Sequence, residues 1–418
     1  MKALGKLAWR NIWRNKRRTV VTTLAIAFGI FLIVVMRGVQ MGTFAQMVDV
    51  SVRRGAGHLE VQRNGYWDER ALKYAFPVAE ADTGSISALP HVQHVSTKLA
   101  VDALVGAGEE NTTGAQVVGV IPSHERAMTI FPDGVMEKGE FLSDTDTTGA
   151  VIGYAMARNL RADLGDQLAI FTQARDGSMG ATLLTVRGIF HVGEPDMDGY
   201  LVLAHLRLIQ DLLEAPGRAT AIALTVDDIR AVESVKAALE RRLRDGTSAP
   251  AGHVQDWDVM SWETLLPGLS QTIQFKNASR DALALLLLVV IAFGILNTIL
   301  MGVMERYHEF GVLRAVGMRR RSLAAMIFAE AGMLSAVGLL IGNACAYALT
   351  CWWQRHPIAP SFAEVLETYG FVPVITAVPD LTGQLVWSIV VLGMVVLLTT
   401  WPAWVAMRFR PVEAIRQV

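Results

Sequence analysis

ALALLLLVVIAFGILNTILMGVM, residues 282–304, runs directly into ERYHEFGVLRAVGMRRRS, residues 305–322. The first part holds 23 uncharged residues. As a helix rising 1.5 Å per residue it reaches about 35 Å, enough to cross the ~30 Å hydrocarbon core of a bilayer. The second part turns basic at once, with five Arg against two Glu in residues 305–321. An apolar run ending in a short basic segment reads as a membrane span whose basic end lies in the cytoplasm.

Three further stretches have the same character. Residues 381–407 are 27 uncharged residues. Residues 20–36 are 17 uncharged residues, and the apolar run resumes after Arg37 as far as Val48. Residues 322–351 are apolar apart from Glu330. Arg37 is expected to snorkel to the interface. Glu330 is expected to face protein, or to pair with Arg319, Arg320 and Arg321 at the cytoplasmic surface. The first stretch reads as an uncleaved anchor, because it exceeds the ~7–15 residues of a signal-peptide core and no A-x-A-like site follows. The composition agrees: of 418 residues 52% are hydrophobic and only 18% charged, against roughly 25% in soluble chains. That balance excludes a disordered or fibrous chain. The two cysteines, Cys345 and Cys351, share one apolar stretch and build neither a disulfide framework nor a Cys-rich metal site.

Charge orients the spans. Residues 1–19 carry seven Lys or Arg and no acid, and residues 408–418 carry three Arg and one Glu. Residues 37–281 carry 22 basic and 32 acidic residues. Both ends therefore belong in the cytoplasm and the long loop outside. That loop is too long and too patterned for a linker. Residues 58–62, 116–120, 221–226 and 254–259 read as strands, and residues 229–244 as a helix capped by Asp227, with Val232, Val235, Leu239 and Leu243 on one face. The middle, residues 122–213, is dense in Gly and Asp and reads as a β-rich insert with a short helix at 154–164 and strands at 167–171 and 183–190. The fold class that follows is an α-helical membrane protein with four transmembrane helices and a large extracytoplasmic α+β domain, an α/β module carrying an inserted β-rich module.

Three segments at the cytoplasmic ends carry the sharpest local pattern. In LAWRNIWRNKRRT, residues 7–19, helical spacing puts Trp9, Ile12 and Trp13 on one face and Arg10, Arg14 and Arg17 on another, as in an interfacial amphipathic helix. The others are EFGVLRAVGMRRR, residues 309–321, and PAWVAMRFRPVEAIR, residues 402–416. In this order they resemble the FtsX-like permeases of ABC transporters, a group that includes the MacB exporters and the lipoprotein-releasing permeases of the LolC/LolE type. GHLEVQRNGYW, residues 57–67, AVIGYAMARNLRADLGDQLAIF, residues 150–171, and GIFHVGEPDMD, residues 188–198, look more like the lipoprotein-releasing branch.

The resemblance implies a type VII ABC permease: a dimer with a second copy or a homologue, driven by two cytoplasmic ATPase subunits that hold ATP and Mg. It implies no catalytic residue, metal or cofactor on this chain, which is not an enzyme and binds no nucleic acid. No P-loop pattern occurs in the sequence, so the ATPase is expected on a separate subunit. The implied division is a cytoplasmic amphipathic helix at 1–19, span one and its stalk at 20–48, a porter-like module at 49–121 and 214–261 around the insert at 122–213, a returning stalk and span two at 262–304, a coupling helix at 305–321, span three at 322–351, an outer loop at 352–380, span four at 381–407 and a tail at 408–418.

ATPase coupling falls to Glu309, Phe310, Gly311, Leu313, Arg314 and Gly317. Phe310, Val312, Leu313 and Val316 would supply an apolar plug, Glu309 and Arg314 charges for the partner, and the glycines a close approach and a turn. The alternative is a surface helix gripping anionic lipid through Arg319–Arg321. A flexible Met/Phe stripe, Met36, Met41, Phe44 and Met47, faces Phe275 and Leu283 across the outer ends of spans one and two, where the related permeases admit lipid chains. The implied work is extraction or export of a lipid-bearing substrate from the bacterial inner membrane, handed to a periplasmic carrier or adaptor. MacB-type export of peptides or drugs and an FtsX-type relay to cell-wall hydrolases remain the alternatives.

Four lesser features stay open. His91 and His94 form an H-x-x-H, and Glu194, Asp196 and Asp198 imitate part of a calcium loop. Asn297 and Asn343 could bond across helices. Gly338-x-x-x-Gly342 and the row Gly294, Thr298, Gly302 are small-residue seams, either of which suits a dimer contact.

Overall fold

The computed structural model describes residues 16–108, 111–131, 134–244, 256–361 and 374–408. The expected amphipathic helix at 1–19 and the tail at 408–418 lie almost wholly outside them. The chain divides into two compact units, Met1–Phe44 with Ile273–Pro360 and Val374–Val418, and Ala45–Thr272 with Ser361–Pro373.

In chain order the first elements are α1 (Lys16–Ser51), β1 (Leu59–Arg63), α2 (Tyr66–Glu69), β2 (Phe76–Pro77), α3 (Glu80–Ser87), β3 (Val92–Ala107), β4 (Asn111–Val120) and α4 (Pro122–Met128). Next come β5 (Met136–Gly139), β6 (Gly149–Gly153), α5 (Tyr154–Leu160), β7 (Gln167–Gln173), β8 (Met179–Phe190), α6 (Pro195–Tyr200), β9 (Leu201–His205) and α7 (Leu206–Leu212). The remainder are β10 (Arg218–Ala219), β11 (Ala221–Val226), α8 (Val232–Arg244), β12 (Trp257–Ser261), α9 (Trp262–Leu265), α10 (Pro267–Glu305), α11 (Tyr307–Ala315), α12 (Arg320–Arg355) and α13 (Leu381–Met407).

Among the described residues four helices, α1, α10, α12 and α13, are long and apolar enough to cross a membrane. Pro267 marks a helix start: α9 stops at Leu265 and α10 begins on the proline, whose missing N–H costs nothing in a first turn. Lipid is as apolar as leucine, so spans associate by close packing rather than by the hydrophobic effect. Ile26, Ile30 and Val34 of α1 meet Ile295 of α10, Ala331, Leu339 and Ala346 of α12, and Val391 and Val395 of α13. The Gly338-x-x-x-Gly342 seam packs inside the chain, against α1. A Cβ on Gly338 would sit 3.0 Å from the Thr23 carbonyl oxygen, and one on Gly342 would strike the Ala27 carbonyl and the Ile30 side chain. Gly294 has open space around it. Asn343 donates to Ser388 Oγ at 2.9 Å, joining α12 to α13. Gly342→Leu should therefore force α1 off α12 and cost about 1–3 kcal/mol, the usual penalty of overpacking. Thermal unfolding of the detergent-solubilised protein would show it as a fall in midpoint, whereas Gly294→Leu should leave the midpoint in place.

Arg37 does not snorkel. Its Nε lies 2.6 Å from Asp380 Oδ2, and Asp380 also accepts the Gly383 N–H as the N-cap of α13. A charge near the hydrocarbon boundary is cheaper paired than stretched, and Asp380, at the start of span four, is in reach.

In the other unit one hydrogen-bonded path carries the strand order β12-β1-β11-β3-β4-β9-β6-β8-β5, with β7 pairing β3 and β8. The long strand β3 joins the two halves. Val92–Lys98 pair with β11, and Leu99–Ala107 pair with β4. Residues 116–120, read as a strand, lie in β4 (Asn111–Val120), which pairs in parallel with β9 of the 122–213 stretch. The β-rich stretch is thus knit into the sheet through β3 and β4. Among the described residues, one cluster of this unit centres on Leu99, Val117, Ile152, Ile170 and Val202, and another on Phe131, Phe141, Val151 and Phe190. Helix α8 buries Val232, Val235, Leu239 and Leu243, the positions its spacing predicts. Its lead-in turn is capped by Asp228, which accepts the Arg230 N–H, and not by Asp227, which faces His91. The short helix expected at 154–164 ends at Leu160, and the strand expected at 254–259 is β12 at Trp257–Ser261.

Candidate coupling site

Helix α10 stops at Glu305 because Arg306 leaves the helical region, at φ −102° and ψ 18°, and α11 starts again at Tyr307. The nine residues of α11 end in a Schellman pattern: Met318 N–H bonds the Leu313 carbonyl, Gly317 N–H bonds the Arg314 carbonyl, and Gly317 takes φ 104°. A side chain there would be strained, which is why a glycine stands at this turn.

The side chains of α11 divide differently from the expected plug. Phe310 is 1% exposed and packs among Val303, Leu323, Met326, Ile327, Ala403 and Ala406. Gly311 is buried and Leu313 half-buried against the same cluster. Glu309 bonds Arg306 Nε at 3.1 Å, and Arg314 donates to the Met407 carbonyl at 3.4 Å, at the end of α13. These residues hold α11 in place. A largest aromatic on a short apolar helix falls inward because that buries the most area. Two of the four expected plug residues, Phe310 and Leu313, thus pack inward, and Glu309 and Arg314 each make a contact within the chain. The outward stripe is His308, Val312, Ala315 and Val316, with Val316 84% exposed, and Arg319, Arg320 and Arg321 are exposed beside it. A groove of about 360 Å³ runs along α11, walled by His308, Glu309, Val312, Leu313 and Met318. An exposed valine stripe beside a groove and an arginine row suits docking of a protein surface.

Under this helix lies a buried ion pair. Arg306 Nη1 donates to Glu330 Oε2 at 2.9 Å, and both residues are 9% exposed. The Arg306 guanidinium also sits 5.1 Å from the centroid of the Phe310 ring. A cavity of about 30 Å³, room for one water, adjoins the pair between Thr22, Thr298 and Ile327. Glu330 therefore pairs with Arg306 rather than with Arg319–Arg321. The triplet lies nine to eleven residues back along the same helix axis, whereas only side chains three or four apart meet on a helix.

Of the stripe expected to take lipid, Met36, Met41 and Phe44 on α1 are half-buried, as is Met47. On α10, Phe275 is 74% exposed and Leu283 54% exposed. Gln40 donates to the Lys276 carbonyl at 2.9 Å and Gly29 faces Ile291, so α1 and α10 touch at both levels. The remaining motifs resolve into local contacts. His91 Nδ1 lies 3.0 Å from Asp227. Asp198 turns inward to accept the Val192 and Gly193 N–H groups.

Two family models match the chain: the FtsX-like permease C-terminal over residues 282–412, and the MacB-like periplasmic core domain over residues 19–242. The chain belongs to the FtsX-like, MacB-type ABC transporter permeases. As such an FtsX-like permease it is a membrane protein with a large periplasmic domain, and α11 falls inside the matched C-terminal segment. It is 26% identical, over 85% of its length, to the "Pyoverdine export ATP-binding/permease protein PvdT" of Pseudomonas syringae pv. tomato, and covers 53% of that protein. The chain thus spans about half the length of the PvdT relatives it matches. It is 22% identical, over 95% of its length and 94% of the relative's, to the "Lipoprotein-releasing system transmembrane protein LolC" of Neisseria meningitidis serogroup B. The periplasmic region of MacB from Actinobacillus actinomycetemcomitans superposes with a TM-score of 0.38 and 13% identity, covering 55% of this chain and 98% of that one. Permeases of this family are transport components that work with cytoplasmic ABC ATPases.

Proposed function

We propose that this FtsX-like permease extracts or exports a lipid-bearing substrate, a lipoprotein or a lipid, from the bacterial inner membrane. Work comes from a separate cytoplasmic ATPase, holding ATP and Mg, that docks on the outward stripe of α11. Two permeases, as a homodimer or with a homologue, frame the path, and a periplasmic carrier or adaptor receives the cargo. The chain itself supplies no catalytic group. Glu309, Phe310, Gly311, Leu313, Arg314 and Gly317 set the docking helix in place, and Met36, Met41, Phe44, Met47, Phe275 and Leu283 offer the cargo's chains a surface.

One observation supports the lipid reading above others: Phe275 stands 74% exposed seven residues before the uncharged stretch of α10 begins at Ala282. At 1.5 Å per residue that is about 10 Å beyond the hydrocarbon edge. Moving an acyl chain out of lipid forfeits about 0.8 kcal/mol per methylene, so extraction needs substitute apolar surface just outside the bilayer. A photo-crosslinker at Phe275 or Met41, in the nucleotide-free complex, should capture acylated species, and Phe44→Asp should reduce capture at least tenfold while the complex still assembles. Export of a non-acylated small molecule is the second reading, favoured by the similarity to PvdT. On that reading no acylated adduct forms at either position, which would refute lateral lipid entry.

A further inference from the structure

The periplasmic unit holds a cavity of about 320 Å³ that the transport reading does not use. Its floor is one face of the sheet, crossed strand by strand by Glu60 of β1, Ala221 of β11, Lys98 of β3, Gln116 of β4 and Leu203 of β9. Its walls are aromatic: Tyr66 and Trp67 from α2, Phe131 after α4, and Tyr200 of α6. Both signs of charge enter it. Lys98 is already engaged, by Glu125 at 3.2 Å and by the Gly55 carbonyl.

Three charged groups, the half-buried Glu60 and the exposed Arg70 and Asp196, are not so engaged. The Glu60 side chain makes no hydrogen bond or ion pair among the described residues, although its strand is fixed on both sides, Ala223 of β11 opposite it on one flank and Met260 of β12 on the other. Burial pushes its carboxyl above the ordinary range, with Lys98 and Arg70 opposing that shift. Arg70 stacks on the Trp67 ring at 4.4 Å and has no carboxylate partner among the described residues. A half-buried carboxylate with no bonded partner gains from a donor or a positive charge that meets it directly. An apolar-walled cleft with a few convergent polar groups is the usual form of a small-molecule site, and this volume falls at the low end of the ~300–1,000 Å³ range.

We propose that this cavity binds a small zwitterion, an amino acid or dipeptide with an apolar side chain. Its ammonium meets Glu60, its carboxylate meets Arg70, and its side chain lies against Trp67, Phe131 and Tyr200. A cation alone would leave Arg70 unmet, and an anion alone would leave Glu60 unmet and lie near Asp196. The proposal stands apart from the lipid reading, and its test needs neither ATPase nor membrane cargo.

Isothermal titration calorimetry of the full chain in detergent would use leucyl-phenylalanine, its C-terminal amide and its N-acetyl derivative as probes. The dipeptide should bind saturably, and each blocked form at least tenfold more weakly. Glu60→Gln, a near-isosteric change, should weaken the dipeptide at least tenfold with an unchanged melting midpoint, and Arg70→Gln should weaken the dipeptide but not the amide. Absence of saturable binding by all three probes overturns the proposal. So does an amide that binds as tightly as the dipeptide, or a dipeptide affinity untouched by Glu60→Gln.

Discussion

Glu330→Ala should destabilise the cytoplasmic end of the four-helix unit by about 3–5 kcal/mol, the range found when one member of a buried ion pair is removed. Arg306, 9% exposed with Glu330 in place, would be left with its guanidinium against Phe310 and the half-exposed Glu309 beside it. The loss should appear as a large fall in thermal midpoint and as proteolysis after Arg306. The double variant Arg306→Leu, Glu330→Leu separates structure from coupling, because a well-packed apolar pair can replace a buried salt bridge at little cost. Its midpoint should recover. If ATP-driven transport recovers with it, the pair is a structural pin. If the fold recovers and transport stays lost, the pair transmits motion from α11. A single variant Glu330→Ala with an unchanged midpoint would mean that the pair contributes no net stability.

Val316→Asp should abolish ATPase co-purification and leave the fold intact. Val316 is 84% exposed, and a surface substitution away from packed features moves stability by no more than about 0.5 kcal/mol. In a docked interface the same carboxylate would be buried without a partner, at a cost of several kcal/mol. Phe310→Ala is the informative contrast. It removes a ring from the cluster under α11 and should cost about 3–5 kcal/mol of stability whether or not an ATPase is present. Pull-down of the partner and thermal unfolding, run side by side, give opposite patterns for the two variants. An ATPase that binds the Val316→Asp and Val312→Asp chains normally docks somewhere other than this stripe.

The four spans are legible because a bilayer admits only long uncharged helices, and runs such as 282–304 have no other use. Helix α11 is legible from its turn glycine, Gly317, and its apolar residues. Which face of it points inward is not, since Phe310, Val312, Leu313 and Val316 surround a nine-residue helix on every side, and only the clustering of Leu323, Met326 and Ala403 draws Phe310 in. The partner of Glu330 was partly readable: helix geometry alone excludes Arg319–Arg321, though nothing local points to Arg306. Asp380 as the partner of Arg37 was beyond reach, because 343 residues separate them and only the packing of the spans brings them together. The cavity around Glu60 escaped for a similar reason. Its floor draws on five strands whose order depends on long-range pairing, and a lone Glu in LEVQR looks like a solvated strand position.

The sixteen residues of β3 also constrain how this domain can be rebuilt or inherited. Cutting out residues 122–213 as a cassette would strip β9 from β4 and β7 from β3, leaving raw strand edges where Val117, Val118 and Val120 are now covered. Such edges recruit other chains. A trimmed or chimeric version would therefore have to exchange β3 and β4 together with everything up to β9, and natural recombination that respected only the 122 and 213 boundaries would produce an aggregating product rather than a smaller permease.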